Sequence, residues 1–203
     1  TYTEAEQLIN SGVYLLYADC ISLAAHSNIT IRLTDTHDLT TERLYISSHD
    51  TGNSVKAILF QDSVTFVRFT SLNVLPGYLL VGKLLEVINK YKINVISMAS
   101  SNVSISMVIS ASPDTLRIVQ KELHKYAEMV IDENMSVIHI IGSLHWQRTQ
   151  VESHIMNTIK DIPISQISYG GSDQCFTLSV HTTDKNRLIS LLAAHFFENE
   201  FAT

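Results

Sequence analysis

The sequence predicts an α+β chain made of two copies of a β-α-β-β-α-β unit, preceded by a short helical block. Three observations carry this. Helical and strand periodicities alternate in that order from Val64 onward. The two copies superpose in sequence: Ile93–Leu123 laid on Ile162–Leu192 needs no gap, and Met107, Ile109, Val119 and Leu123 fall on Phe176, Leu178, Leu188 and Leu192. Finally, the second copy runs out before its fourth strand, while a spare strand, Val55–Phe60, stands outside the first copy.

The N-terminal block covers residues 1–52. Thr3 and Glu6 have the spacing of a capping box ahead of the apolar Leu8, Ile9, Leu15 and Leu16. A second short helix spans Ile21–His26. Ile29–Leu33 reads as a strand, and Leu44-Tyr45-Ile46 as a short apolar stretch after a polar connection. The block is too small for an independent core and reads as the trailing end of a larger domain. Thr1 is not a natural start, which suggests a piece of a longer protein.

In the first copy, Val64–Phe69 is a strand. Gly77–Lys92 is a helix whose inward stripe is Leu80, Leu84, Val87, Ile88 and Tyr91. Strands follow at Ile93–Ala99 and Val103–Ile109. Ser112-Pro113 opens the next helix, with serine as N-cap and proline in the first turn, and its stripe is Leu116, Val119, Leu123 and Tyr126. Met129–Asp132 closes the copy. Ser104, Ser106 and Ser110 alternate with Ile105, Met107 and Ile109, the pattern of a sheet with one face covered by helices. The second copy has strands at Val137–Ile141, Ile164–Tyr169 and Gln174–Val180. Its helices are Gln150–Asp161 and Asp184–Phe197.

Between Val55–Phe60 and Val64–Phe69 stand Gln61, Asp62 and Ser63. Strands so close usually form a hairpin, but Gln-Asp is poor chemistry for a tight turn, which prefers Asn-Gly or Asp-Gly. An unpaired sheet edge is a liability. Val55–Phe60 is therefore expected to complete the second sheet, with the first copy inserted. The resulting domains are residues 63–135, and residues 54–61 plus 136–203.

Hydrophobic residues make up 45% of the chain and charged residues 17%, as in a globular protein with a core. The net charge is −6 and the basic residues are scattered, which argues against a nucleic-acid partner. No apolar run reaches the roughly 20 residues that span a bilayer, so no membrane partner is expected. Cys20 and Cys175 read as free thiols of a reducing cytoplasm. The nine histidines show no ligand spacing, and no metal site, catalytic set or cofactor is read in this chain. His195 reads as a packed or partly exposed helix residue, and Gly170-Gly171 as a turn.

The tandem βαββαβ pair resembles two ACT domains, the ferredoxin-like modules that bind amino acids. The first copy is similar to the first ACT domain of aspartokinases. That family shows a Ser-x-x-Met-Leu-like loop and then Ile-Ser-Val-Asp-x-x-x-Thr-Ser-Glu-x-Ser-x-Ser, a frame kept here by Ser71, Leu75, Ile93, Val95, Ser100, Ser101, Ser104 and Ser106. Ile167, Ser168, Gly170, Ser172, His195 and Phe196 fit the second ACT domain. The N-terminal block resembles the end of the aspartokinase catalytic domain through Glu4, Ala5, Leu8, Gly12, Leu16, Asn28, Ile29, Ile31, Leu33 and Thr36. There are departures. The nucleotide-associated lysine of Gly-Ala-Lys is Tyr14, and His-Pro is Tyr17-Ala18. The aspartate after Ser-Val is Ile96, and the glutamate of Thr-Ser-Glu is Asn102.

The resemblance implies the regulatory, amino-acid-sensing region of an aspartokinase. The parent would use ATP and Mg²⁺ to phosphorylate the β-carboxylate of L-aspartate, at the start of lysine, threonine and methionine biosynthesis. It implies a homodimer through the first ACT domain and an amino-acid effector, lysine or threonine. The implied effector residues are Ser71, Val74, Leu75, Gly77, Leu80, Val81, Asn94, Val95, Ser100, Ser101 and Asn102. A helix start beside that loop suits a carboxylate, since its free N–H groups carry partial positive charge. The alternative is an ACT interaction module that has lost effector binding, which the changes at Tyr14 and Ile96 favour.

Overall fold

The computed structural model describes residues 1–14, 16–34, 42–50, 52, 55–72, 76–144 and 149–198. The helices are α1 (Tyr2–Asn10), α2 (Ala18–His26), α3 (Gly77–Lys90), α4 (Pro113–Leu123), α5 (Thr149–Thr158) and α6 (Thr182–Ala193), the last running into a π-helical turn at Ala194–Glu198. The strands are β1 (Ile31–Thr34), β2 (Glu42–Ile46), β3 (Val55–Ser71), β4 (Asn94–Ser100), β5 (Ser104–Ser110), β6 (Ala127–Gly142), β7 (Gln166–Ser168) and β8 (Cys175–His181). β1 and β2 form an antiparallel pair. The others form one six-stranded sheet in the order β4-β5-β3-β6-β8-β7.

Val55–Phe60 and Val64–Phe69 do not fold back on each other. They are two halves of β3, a single strand of 17 residues. β6 likewise joins Met129–Asp132 to Val137–Ile141, stretches that the sequence divides between two copies. The expected pair of sheets is thus one sheet, with β3 and β6 side by side in the middle. Each long strand contains one left-handed residue near its centre, Ser63 at φ 58° and Asn134 at φ 59°. Such a residue inside a strand bends it locally without ending it, as a β-bulge does.

Two compact units arise. One comprises residues 1–59, 139–154 and 170–176, and the other residues 60–138, 155–169 and 177–203. In the first, α1 and α2 pack Tyr2, Ala5, Ile21 and Ala24 against Ile46. The Tyr2 hydroxyl donates to the Ile29 carbonyl at 2.8 Å. The capping box is Thr1 with Glu4, not Thr3 with Glu6. The T-Y-T-E start satisfies the same spacing two residues earlier, and the helix takes the extra residues. His139 is buried against Cys175, with 3.9 Å between Nδ1 and Sγ. Burial holds the imidazole below its usual range.

In the second unit, α3 and α4 cover one face of the sheet. Leu80, Leu84, Val87, Leu116, Val119 and Leu123 meet Val67, Phe69, Ile105, Met107 and Ile109. Ser112 caps α4 as the sequence requires, its hydroxyl accepting from the Thr115 amide at 3.2 Å. All four superposed pairs of the repeat, Met107 and Phe176 through Leu123 and Leu192, are buried. The other face is not the bare serine face that the alternation suggests. Val64, Phe66, Val108, Met135 and Val137 form a second buried cluster there, with Ile96 packed against it. A bulge lies beside it: Val95 pairs with Ile109, but Ser97 pairs with Val108, so Ile96 is the extra residue in β4.

Asp62, at the supposed turn, is the hub of a polar latch. Its carboxylate accepts from Lys185 Nζ and from Ser136 Oγ, each at 2.6 Å. Thr182 Oγ1 donates to the Asn134 carbonyl at 2.7 Å, and Lys185 Nζ lies 4.5 Å from the centre of the Phe60 ring. The start of α6 is thereby tied to the midpoints of both long strands. Lys185 and then Ser136 hold the Asp62 carboxyl below its ordinary value of 3.8. A depressed carboxyl stabilises the fold above the unfolded value and loses that contribution as pH falls through the folded one. Asp62→Asn is therefore expected to cost about 1 kcal/mol near neutrality, a modest figure because the carboxylate is partly exposed. The difference from the parent chain should shrink as pH falls below 3.8 and vanish only once the folded carboxyl, which titrates lower still, is protonated, as urea unfolding at several pH values would show.

Candidate functional site

α3 begins against the turn between β4 and β5. Its N-cap is Pro76, which offers no side-chain acceptor. The Leu79 and Leu80 amides bond to the Pro76 carbonyl, leaving the Gly77 and Tyr78 N–H groups without partners in the helix. A Cβ on Gly77 would lie 2.6 Å from the Asn102 carbonyl oxygen, so only glycine lets the helix approach this turn. The turn is held by Ser101. Its hydroxyl accepts from the Ser104 amide at 3.1 Å and lies 2.9 Å from Ser104 Oγ, while its own amide donates to the Ser104 carbonyl at 2.8 Å.

Helix start and turn enclose an open hollow of about 430 Å³, lined by Gly77, Tyr78, Val81, Ser100, Ser101 and Asn102. Among the described residues, no carboxylate, amine or guanidinium lines it. The hollow can accept a carboxylate at the helix start and offers hydroxyl, amide and carbonyl groups opposite. The hydroxyl of Ser101 is already spent on shaping the turn. Ser100 and Asn102 side chains hold no hydrogen bond among the described residues.

Of the residues implied by the resemblance, Gly77, Val81, Ser100, Ser101 and Asn102 gather here. Val74 and Leu75 lie outside the described residues. Ser71 ends β3, its amide bonded to the Val103 carbonyl at 2.8 Å. Leu80 is wholly buried in the core beneath α3. Asn94 and Val95 start β4, roughly 20 Å along the strand from Ser100 at about 3.3 Å per residue. Tyr78, exposed at the rim, is not among the residues that the resemblance implies. Its signal is weak, an aromatic directly after the glycine that opens a helix. Ile96, where the family has aspartate, fills the apolar cluster on the second face.

A second hollow, of about 420 Å³, lies in the other unit and includes Glu4, Leu8, Thr30, Leu44, Ile46 and Lys56. Glu4 belongs to the α1 capping box. Among the described residues, no group of three or more His, Cys, Asp or Glu could hold a metal ion. No helix among them is long and apolar enough to cross a membrane.

No protein-family profile matches the chain. Curated relatives do. Aspartokinase 3, chloroplastic, of Arabidopsis thaliana is 26% identical over 212 residues, spanning 98% of this chain and 38% of that protein. Aspartokinase 1, chloroplastic, from the same plant is 23% identical over 98% of this chain and 37% of its own length. A C-terminal regulatory domain of aspartate kinase from Porphyromonas gingivalis w83 superposes with a TM-score of 0.63 at 28% identity, covering 70% of this chain and 96% of that one. This chain resembles the regulatory region of an aspartokinase. It spans little more than a third of the curated aspartokinases it matches. The fold is shared more widely: Clostridium acetobutylicum aspartate kinase superposes with a TM-score of 0.84 at 19% identity, over 96% of this chain and 47% of its own.

The lysine that the family associates with nucleotide is replaced by Tyr14, which stands fully exposed. With tyrosine in place of that lysine, and no three-residue carboxylate, histidine or cysteine group among the described residues, this region does not fit an ATP–Mg²⁺ site.

Proposed function

We propose that the chain is the amino-acid-sensing and dimerising region of an aspartokinase. The parent would transfer the ATP γ-phosphate, with Mg²⁺, to the β-carboxylate of L-aspartate, the phosphoryl chemistry residing elsewhere in the parent. One observation carries this: the likeness to aspartokinases runs through 98% of the chain while touching only 38% of the relative's length. Residues 63–135 would form one ACT module, inserted between residues 54–61 and 136–203 of another. The order β4-β5-β3-β6-β8-β7 supports it, since half of each long strand can serve each module. The first module would carry the homodimer contact. Cys20 and Cys175 form no disulfide, which suits a reducing cytoplasm.

The effector would sit in the hollow at Gly77, its carboxylate at the start of α3. E. coli aspartokinase III is known in complex with lysine and aspartate. Here no described residue lining the hollow brings a carboxylate to balance a side-chain ammonium, so threonine fits it better than lysine. A ligand that binds only the folded state raises its melting temperature. At 10 mM, about 100 times a Kd near 0.1 mM, that stabilisation is about 2.7 kcal/mol. L-threonine is expected to raise the melting temperature, L-lysine less. Flat melting curves and no heat with all twenty amino acids would favour the second possibility, an interaction module without an effector, for which Ile96 and Asn102 speak. Sedimentation should show a dimer at micromolar concentration; a monomer would count against the assembly.

A further inference from the structure

β4 and β7 end the sheet order, yet they approach each other, and a buried amide bonds across the approach. Gln166 on β7 donates to Ser97 Oγ on β4 at 3.2 Å. The bulge at Ile96 makes this contact possible: in unbroken register Ser97 would share the helix-covered face with Met107, and the extra residue places it opposite Val108 instead. Gln166 itself is cross-strand partner of Ser179 on β8. Gln166 and Ser179 are 6% and 1% exposed, and Gln166 Oε1 and Ser179 Oγ, both buried, have no hydrogen-bond partner among the described residues. Whichever way the amide is turned, one end meets Ser97 and the other meets no polar group among the described residues.

Leaving two such groups unsatisfied is costly, and native proteins fill such places with ordered water. A water molecule suits the pair, since it can donate to an amide oxygen and also donate to or accept from a hydroxyl. We propose that Gln166 is a positioning residue for β4, acting through Ser97, and that an internal water bridging Gln166 and Ser179 completes the link. β4 ends in Ser100, which lines the hollow, so the second copy would set the geometry of a site built by the first. That consequence rests on the effector function proposed above.

The test compares Gln166→Leu and Ser97→Ala with the parent chain. Hydrogen exchange in residues 94–100 should rise at least tenfold in both variants, while residues 104–110 keep their protection. The rise in melting temperature with L-threonine should fall by at least half. A crystal structure should show density for the bridging water. Unchanged exchange in residues 94–100, or a direct bond between Gln166 and Ser179 with no water, overturns the link. Should the parent chain give no response to L-threonine, the effector function fails, and the exchange and density still decide the link.

Discussion

Gly77→Ala is expected to destabilise the chain by about 1–3 kcal/mol and to abolish any amino-acid-induced rise in melting temperature. The added Cβ would stand 2.6 Å from the Asn102 carbonyl oxygen and 3.2 Å from its carbon. Those are backbone atoms, so no side chain can swing aside. Either α3 retreats or the β4–β5 turn opens, and the turn is pinned by Ser101. Both movements displace the free amides of α3 from the groups opposite. Gly82 provides the control. Five residues further along the same helix, a Cβ there meets nothing within 4 Å. Gly82→Ala should stabilise by up to about 1 kcal/mol, through helix propensity alone. Urea denaturation of both variants separates a steric cost at the site from a general effect of alanine. If Gly77→Ala is as stable as the parent and still responds to amino acids, the close approach does not shape the hollow.

What could be read in the sequence was local. The Ser112-Pro113 start of α4 and the stripes Leu80–Leu84–Val87 and Leu116–Val119–Leu123 depend on neighbours within one or two turns. The repeat made the buried pairs Ile109 with Leu178 and Val119 with Leu188 legible as well. Strand continuity was not legible. Whether Val55–Phe60 and Val64–Phe69 are one strand depends on Ser63 tolerating φ 58° and on the latch joining Asp62 to Ser136 and Lys185, far along the chain. The bulge at Ile96 was hidden for the same reason, being defined by pairing across β5. The site shows the same division. The family resemblance implies Gly77, Ser100, Ser101 and Asn102, which line one hollow. It implies Leu80 as well, because a residue beneath a helix and one beside a ligand look alike in sequence, and only packing distinguishes them.

Phe66→Ala should have the largest effect on stability, about 3–5 kcal/mol. Alternation along β3 puts Phe66 on the face opposite Val67 and Phe69, where a sheet covered by helices on one side would meet solvent. Phe66 is instead 1% exposed, packed with Val64, Val108, Met135 and Val137. Its ring also lies 5.4 Å from the Arg68 guanidinium carbon, a cation–π contact whose loss adds to the cost. Removing it leaves a cavity walled by β-strands, which cannot close over it as a loop could. Folded domains are stable by only about 5–15 kcal/mol, so the variant should unfold at far lower urea concentration. Ile96 makes the reciprocal case. Ile96→Asp restores the carboxylate of the family but places it against the apolar cluster, where an unpaired charge is costly. The variant should therefore lose stability and gain no lysine response. If Phe66→Ala costs under about 1 kcal/mol, the second face is open in solution, and Ile96 would then be free to act as a site residue after all.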